Sequence, residues 1–264
     1  MFAILISCLL LFYPHGFATT QLLSSNDTQK LLSSNDTHLQ PLLADFWKYW
    51  VNLPEDGNPT EDDGETVKNK CVMYESDSTT FLLNNFATKK YNQECEIKAS
   101  NPIFFPFYTA WCDNGLKGHY GTQSYKDILD CALDDDRGFV VMEAWLDGKK
   151  IVDVQVDNTD IKNLKIAKNN LPQMTYFKMI TSPSFYDITL TNKTQNSDIY
   201  QHQEEFAKSP KIYKAVSHCF CAFIPNIAPG NHELKYHTLL THSTGLGGSW
   251  DYDSEVTYKL KAIK

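Results

Sequence analysis

GFVVMEAWLDGKKIVDVQV, Gly138 to Val156, holds two runs of β-forming residues on either side of Asp147-Gly148. Asp-Gly supplies the positive φ angles that a two-residue type I′ turn needs, so the stretch reads as a β-hairpin. A two-residue loop fixes the pairing: Leu146 faces Lys149, Trp145 faces Lys150, Glu143 faces Val152 and Val141 faces Val154. Side chains alternate along a strand, so one face is expected to carry Phe139, Val141, Trp145, Val152, Val154 and Val156 toward a core. Asp153 and Gln155 fall on the other, wetter face. In this register Glu143 sits on the apolar face. A carboxylate there would have a raised pKa and could serve as a binding or acid group. An ion pair with Lys150, diagonal to it at the hairpin end, is the structural alternative.

Outward from the hairpin the chain stays strand-like. HCFCAFIPNIAPGNHELKYHTLLTHSTG and SEVTYKLKAI give strands broken by Pro225, by a Pro229-Gly230 turn and by the glycine-rich loop Gly245 to Gly248. Helical signals are confined to the N-terminal half. Leu42, Leu43, Phe46, Trp47, Trp50 and Val51 recur at three- and four-residue spacing, an amphipathic helix ending before Pro54. SYKDILDCAL has Ser124 three residues before Asp127, a capping-box-like start to a short second helix. Short strands separated by turns predict a mainly β protein, an antiparallel β-sandwich of jelly-roll or immunoglobulin-like type, forming one domain over residues 41–264.

The segment before that domain reads differently. An apolar run from Phe2 to Phe12 followed by Gly16-Phe17-Ala18 predicts a secretory signal over residues 1–18. The run is shorter than the roughly 20 residues of a membrane helix, and no later segment reaches that length. Residues 19–40 contain the duplication LLSSNDTQK and LLSSNDTHL, a polar spacer. Asn26, Asn35 and Asn192 each begin an Asn-x-Thr acceptor sequence for glycosylation.

The 264 residues carry a net charge of −8, and Arg137 is the sole arginine. Without a basic stripe, a nucleic-acid partner is not expected. The acidic loop LPEDGNPTEDDGE, with Glu55, Asp56, Glu61, Asp62 and Asp63, could hold calcium through oxygen ligands but lacks EF-hand spacing, so it reads as a solvated turn. No G-x-S-x-G, H-E-x-x-H or P-loop motif is present.

Of seven cysteines, six follow Ala18: Cys71, Cys95, Cys112, Cys131, Cys219 and Cys221. An even set in an exported chain points to disulfides. Local pairing joins Cys71 to Cys95 and Cys112 to Cys131. Cys219 and Cys221 sit about 7 Å apart on one face of a strand, so a bond between them needs the strand to bend. Separate structural partners or buried thiols are expected instead. Zinc or copper is the sharper alternative, with His232 and His237 recruited from the next strand. No cofactor is expected on the simpler reading.

In consistent order from Trp47 to Leu260, FWKYWVNLPEDGNPTEDDG, the cysteines flanking FLLNNF, IFFPFYTAWC, WLDGKKI, SPSFYDITL and IAPGNHELKY resemble an uncharacterised family of secreted bacterial and archaeal β-sandwich-like proteins. The resemblance implies secretion and a largely β domain, and no particular reaction. The chain departs from the family at HCFC, where a glycine and a large aromatic are expected.

These readings favour a secreted or surface-associated, non-catalytic protein that binds glycan or a cell-envelope component. Trp250, in a polar WDYDS stretch, is its best candidate for stacking on a sugar. A polysaccharide hydrolase with paired carboxylates, or an extracellular copper or zinc carrier, are the alternatives. Nothing in the sequence sets an oligomeric state.

Overall fold

The computed structural model describes residues 39–51, 79–82, 90–114, 124–134, 138–157, 165–169, 176–190, 211–243 and 250–264. Within them the strands are β1 (Thr80–Phe81), β2 (Lys90–Lys98), β3 (Ile103–Asp113), β4 (Phe139–Leu146), β5 (Lys149–Asp157), β6 (Lys165–Asn169), β7 (Phe177–Thr181), β8 (Tyr186–Leu190), β9 (Lys211–Ile224), β10 (Gly230–Ser243) and β11 (Trp250–Ile263). The helices are α1 (Leu39–Val51) and α2 (Tyr125–Asp134). The fold is mainly β, a two-sheet sandwich with few helices, as the sequence predicts.

One sheet runs β1-β3-β9-β7, with β8 also on β9; the other runs β2-β11-β10-β4-β5-β6. Pairing is antiparallel except at one edge of each sheet, where β1 joins β3 and β2 joins β11 in parallel. The alternation of β11 shows why the six-stranded sheet forms. Tyr252, Val256, Tyr258 and Leu260 point inward and are buried, while Asp251, Asp253, Glu255, Lys259 and Lys261 point outward. The inward set meets Phe105, Phe107, Tyr108, Phe177 and Phe220 of the other sheet in one core. Phe105 stacks on Tyr236 at 4.7 Å between ring centroids.

The outer side of the five-stranded sheet is covered by α1. Its buried Leu39, Leu42, Leu43, Phe46, Trp47, Trp50 and Val51 fall on one helical stripe. They pack on Phe81, Phe104, Ile180, Ile188 and Ala215. Each such burial contributes roughly 1.5–3 kcal/mol, which is what holds a helix too short to persist alone. Trp47 Nε1 donates to Thr109 Oγ1 at 3.2 Å, fixing the depth of the contact. The second helix starts at a Ser124 cap, whose Oγ accepts the Asp127 N–H at 3.3 Å. It is stapled to β3 by the Cys112–Cys131 disulfide and packs on Val216.

The hairpin differs from its expected register. Asp147 and Gly148 do take positive φ, 52° and 75°, and Trp145 pairs with Lys150. The next pair is Ala144 with Val152, so Ile151 is an inserted bulge residue. A bulge sets two consecutive residues against one and turns the rest of the strand over relative to its partner. Ile151 and Val152 are both buried, and the core face of β4 becomes Val140, Met142 and Ala144. Phe139, Val141, Glu143 and Trp145 therefore face outward, partly exposed. The straight register would have put Glu143 into the core; one extra apolar residue avoids that.

Candidate functional site

The outer face of the six-stranded sheet carries the chemistry. At one end, β2, β11 and β10 surround a hollow of about 680 Å³, lined by Glu94, Glu96, Lys259, Lys261, Asn231 and Glu233, with His232 and Asp147 also in its wall. Register builds it. Glu94 pairs with Lys259 and Glu96 with Lys261 across β2–β11, and Lys259 and Lys261 face Glu233 and Asn231 across β10. Lys259 Nζ lies 3.1 Å from Glu94 Oε1, and Lys261 Nζ lies 2.8 Å from Glu96 Oε2. Such exposed pairs contribute little to stability. They hold acceptors and donors side by side in a volume that fits a small ligand. Cys95 and Leu260, between the charged residues, line it with backbone, their side chains being in the core on the other face.

Asp147, read from the sequence only as a turn residue, closes the rim. Its Oδ1 accepts the Glu233 N–H at 2.9 Å, and its own N–H donates to Glu233 O at 2.8 Å. Its Oδ2 lies 2.7 Å from His232 Nδ1, while His232 Nε2 lies 2.8 Å from the Ala228 carbonyl. The hydrogen bond to Asp147 raises the His232 pKa above its ordinary value, against partial burial and helped by the Ala228 carbonyl and the Asp147 charge. Partial burial pushes the Asp147 carboxyl up, yet the hydrogen bonds from His232 and the Glu233 N–H, with the His232 charge, bring it below its usual value.

A second charged group lies farther along the same face. Glu143 Oε1 is 2.5 Å from Lys150 Nζ, and Oε2 is 3.8 Å from His237 Nδ1. His237 Nε2 is 2.8 Å from Asp253 Oδ1, and Lys150 Nζ is 4.9 Å from the centroid of the Trp145 ring. The ion pair proposed for Glu143 and Lys150 is thus present, on the outer face rather than the inner one.

Cys219, Cys221, His232 and His237 do not converge. Cys219 and Cys221 lie buried under α1 on the five-stranded sheet and are bonded to each other, with Cα atoms 5.5 Å apart. They do not take the separate partners or free thiols expected of them. The bend that brings them together lies opposite a bulge: Pro106 pairs with Cys221 and Tyr108 with Phe220, leaving Phe107 extra on β3. Proline has no N–H for the ladder, which favours the irregularity there. Disulfide sulfurs offer no thiolate to a metal. His232 and His237 belong to the other sheet, and among the described residues no three His, Cys, Asp or Glu side chains are grouped to hold a metal ion.

Cys95 is disulfide-bonded, and its expected partner Cys71 lies outside the described residues, as do the acidic loop and Asn26, Asn35 and Asn192. Trp250 pairs with Ser243 at the start of β11, and its side chain lies outside the description. No helix among the described residues is long and apolar enough to cross a membrane. The hollow is not legible in the sequence, because Glu-x-Glu in β2 and Lys-x-Lys in β11 have the pattern of ordinary solvated faces. Only the parallel pairing of strands 165 residues apart sets them together. No family model, no curated protein and no solved structure matches this chain.

Proposed function

We propose that this is a secreted or surface-associated, non-catalytic binding protein that takes a hydroxyl-rich ligand, a glycan or envelope component, in the hollow between β2, β11 and β10. The lining of that hollow carries the reading: carboxylate acceptors at Glu94, Glu96 and Glu233 alternate with ammonium donors at Lys259 and Lys261 and the amide of Asn231. Vicinal hydroxyls are recognised by neighbouring acceptors and donors of this kind. Export is supported by the Cys112–Cys131 and Cys219–Cys221 disulfides, which persist in oxidising compartments. A family of secreted β-sandwich-like proteins belongs to the same proposal.

Hydrolysis of a glycosidic bond would need an acid and a base flanking the ligand. In the hollow Glu94 and Glu96 are each ion-paired to a lysine, and Glu143 and Asp153, opposed across β4 and β5, share Lys150 and do not line it. Binding without catalysis is therefore the reading preferred.

The test is a titration with a panel of soluble envelope-type oligosaccharides, followed by the NMR signals of the Asn231 side-chain amide and the backbone amides of residues 231–233 and 259–261. Saturable shifts are expected there and should vanish in the double variant E94A/K259A. Shifts that persist unchanged in that variant, or a panel that leaves these signals unmoved, would refute the proposal.

A further inference from the structure

His232 has an acceptor at each ring nitrogen: the Asp147 carboxylate 2.7 Å from Nδ1 and the Ala228 carbonyl 2.8 Å from Nε2. Neither acceptor can donate in return, so both contacts are hydrogen bonds only while both nitrogens carry protons. A neutral imidazole has one N–H. On deprotonation Nδ1 keeps its proton toward the carboxylate, the stronger acceptor, and the lone pair of Nε2 is left facing the lone pairs of the Ala228 carbonyl.

Ala228 belongs to the segment Pro225–Pro229, where the chain crosses from β9 in one sheet to β10 in the other. This crossing contains no titratable side chain. Its contacts to the sandwich include the Ile227 N–H to the Ala99 carbonyl, 3.4 Å, the packing of Ile227 in the core, and the His232 contact. Gly230, with φ 143°, leaves room beside the imidazole: a Cβ there would meet His232 Nε2 at 3.9 Å.

We infer that His232 is a proton-operated latch, which in its doubly protonated form ties the sheet-to-sheet crossing at Ala228 to the β4–β5 turn at Asp147 and releases the crossing when it loses a proton. This inference needs no ligand and stands or falls apart from the proposed function. The charged group in contact with the ring is Asp147 on the turn; Glu233 on its own strand, Lys259 and Lys261 on β11, and Glu94 and Glu96 on β2 lie on the opposite face of the sheet.

The sign follows from linkage. A histidine whose pKa is raised by folding contributes stability that is fully present below its unfolded value, about 6.5, and is lost as pH rises through the folded value. The latch is therefore closed in acid and opens on the alkaline side of the ordinary histidine range.

The experiment is a pH titration of the full chain by NMR, reading the ring nitrogens of His232 and the exchange protection of the Ile227 amide relative to its intrinsic rate. The ring is expected to titrate above the ordinary histidine value, with Ile227 protection falling about tenfold at the same midpoint, the scale of one charge-assisted hydrogen bond. In H232Q the step should disappear. In D147N it should move to lower pH, which keeps the test decisive if H232Q does not fold. A ring that is neutral in weak acid, or an Ile227 step that survives in H232Q, would overturn the latch.

Discussion

Glu143 stands opposite Asp153 across β4 and β5, with Lys150 Nζ between them, 2.5 Å from Glu143 Oε1 and 3.8 Å from Asp153 Oδ2. Like charges directly opposed on neighbouring strands destabilise a sheet, so the lysine has a structural task. The Asp153 side chain is 7% exposed and that of Glu143 26%. Lys150→Met keeps the aliphatic stem near Trp145 and removes the charge, leaving two facing carboxylates, one nearly buried. It should cost about 2 kcal/mol, whereas Glu143→Gln, which keeps an acceptor for Lys150, should cost about 0.5 kcal/mol. Urea unfolding of both variants, compared at unchanged m, measures the order. A larger loss in Glu143→Gln would mean that the glutamate, not the lysine, holds the pair together.

The sequence reveals periodicity wherever one residue decides it. The buried positions of α1 from Leu42 onward are legible, because its apolar stripe needs no partner to be recognised, whereas buried Leu39 falls within the stretch read as a polar spacer; the turn at Asp147-Gly148 and the core side of β5 are legible too. The core side of β4 is not, because it depends on Ile151 being counted as an insertion, and no local propensity separates a bulged strand from a straight one. The same holds for the Cys219–Cys221 bond, which depends on an irregularity at Phe107 more than a hundred residues away. The hollow is least legible, since its two rows of charges become neighbours only through the parallel pairing of β2 with β11.

The two described disulfides close loops of very different length, with sequence separations of 19 for Cys112–Cys131 and 2 for Cys219–Cys221. In the chain-entropy view the longer loop contributes about 3 kcal/mol and the shorter about 1.5 kcal/mol. All four cysteines are buried, so replacing either pair by alanine removes a similar amount of packed sulfur. The difference between C112A/C131A and C219A/C221A then isolates the loop contribution. The first double variant should be less stable than the second by roughly 1.5 kcal/mol in denaturant unfolding. Equal losses would show that packing beneath α1 outweighs loop closure at Cys219 and Cys221.

Gly148 separates a backbone effect from a packing effect. Its φ is 75°, and a Cβ placed on it would meet no atom within 4 Å. Gly148→Ala should therefore cost about 1 kcal/mol from the left-handed backbone alone. Gly148→Asn should cost less despite its greater bulk, because asparagine tolerates that region. Thermal unfolding of the two variants ranks them, and asparagine falling below alanine would show that the turn is crowded rather than conformationally demanding. Both variants should keep the raised pKa of His232, since Asp147 reaches it through the same turn. If that pKa returns to its ordinary value in Gly148→Ala, the substitution has changed the turn geometry, and the hairpin register depends on Gly148 more than on the bulge at Ile151.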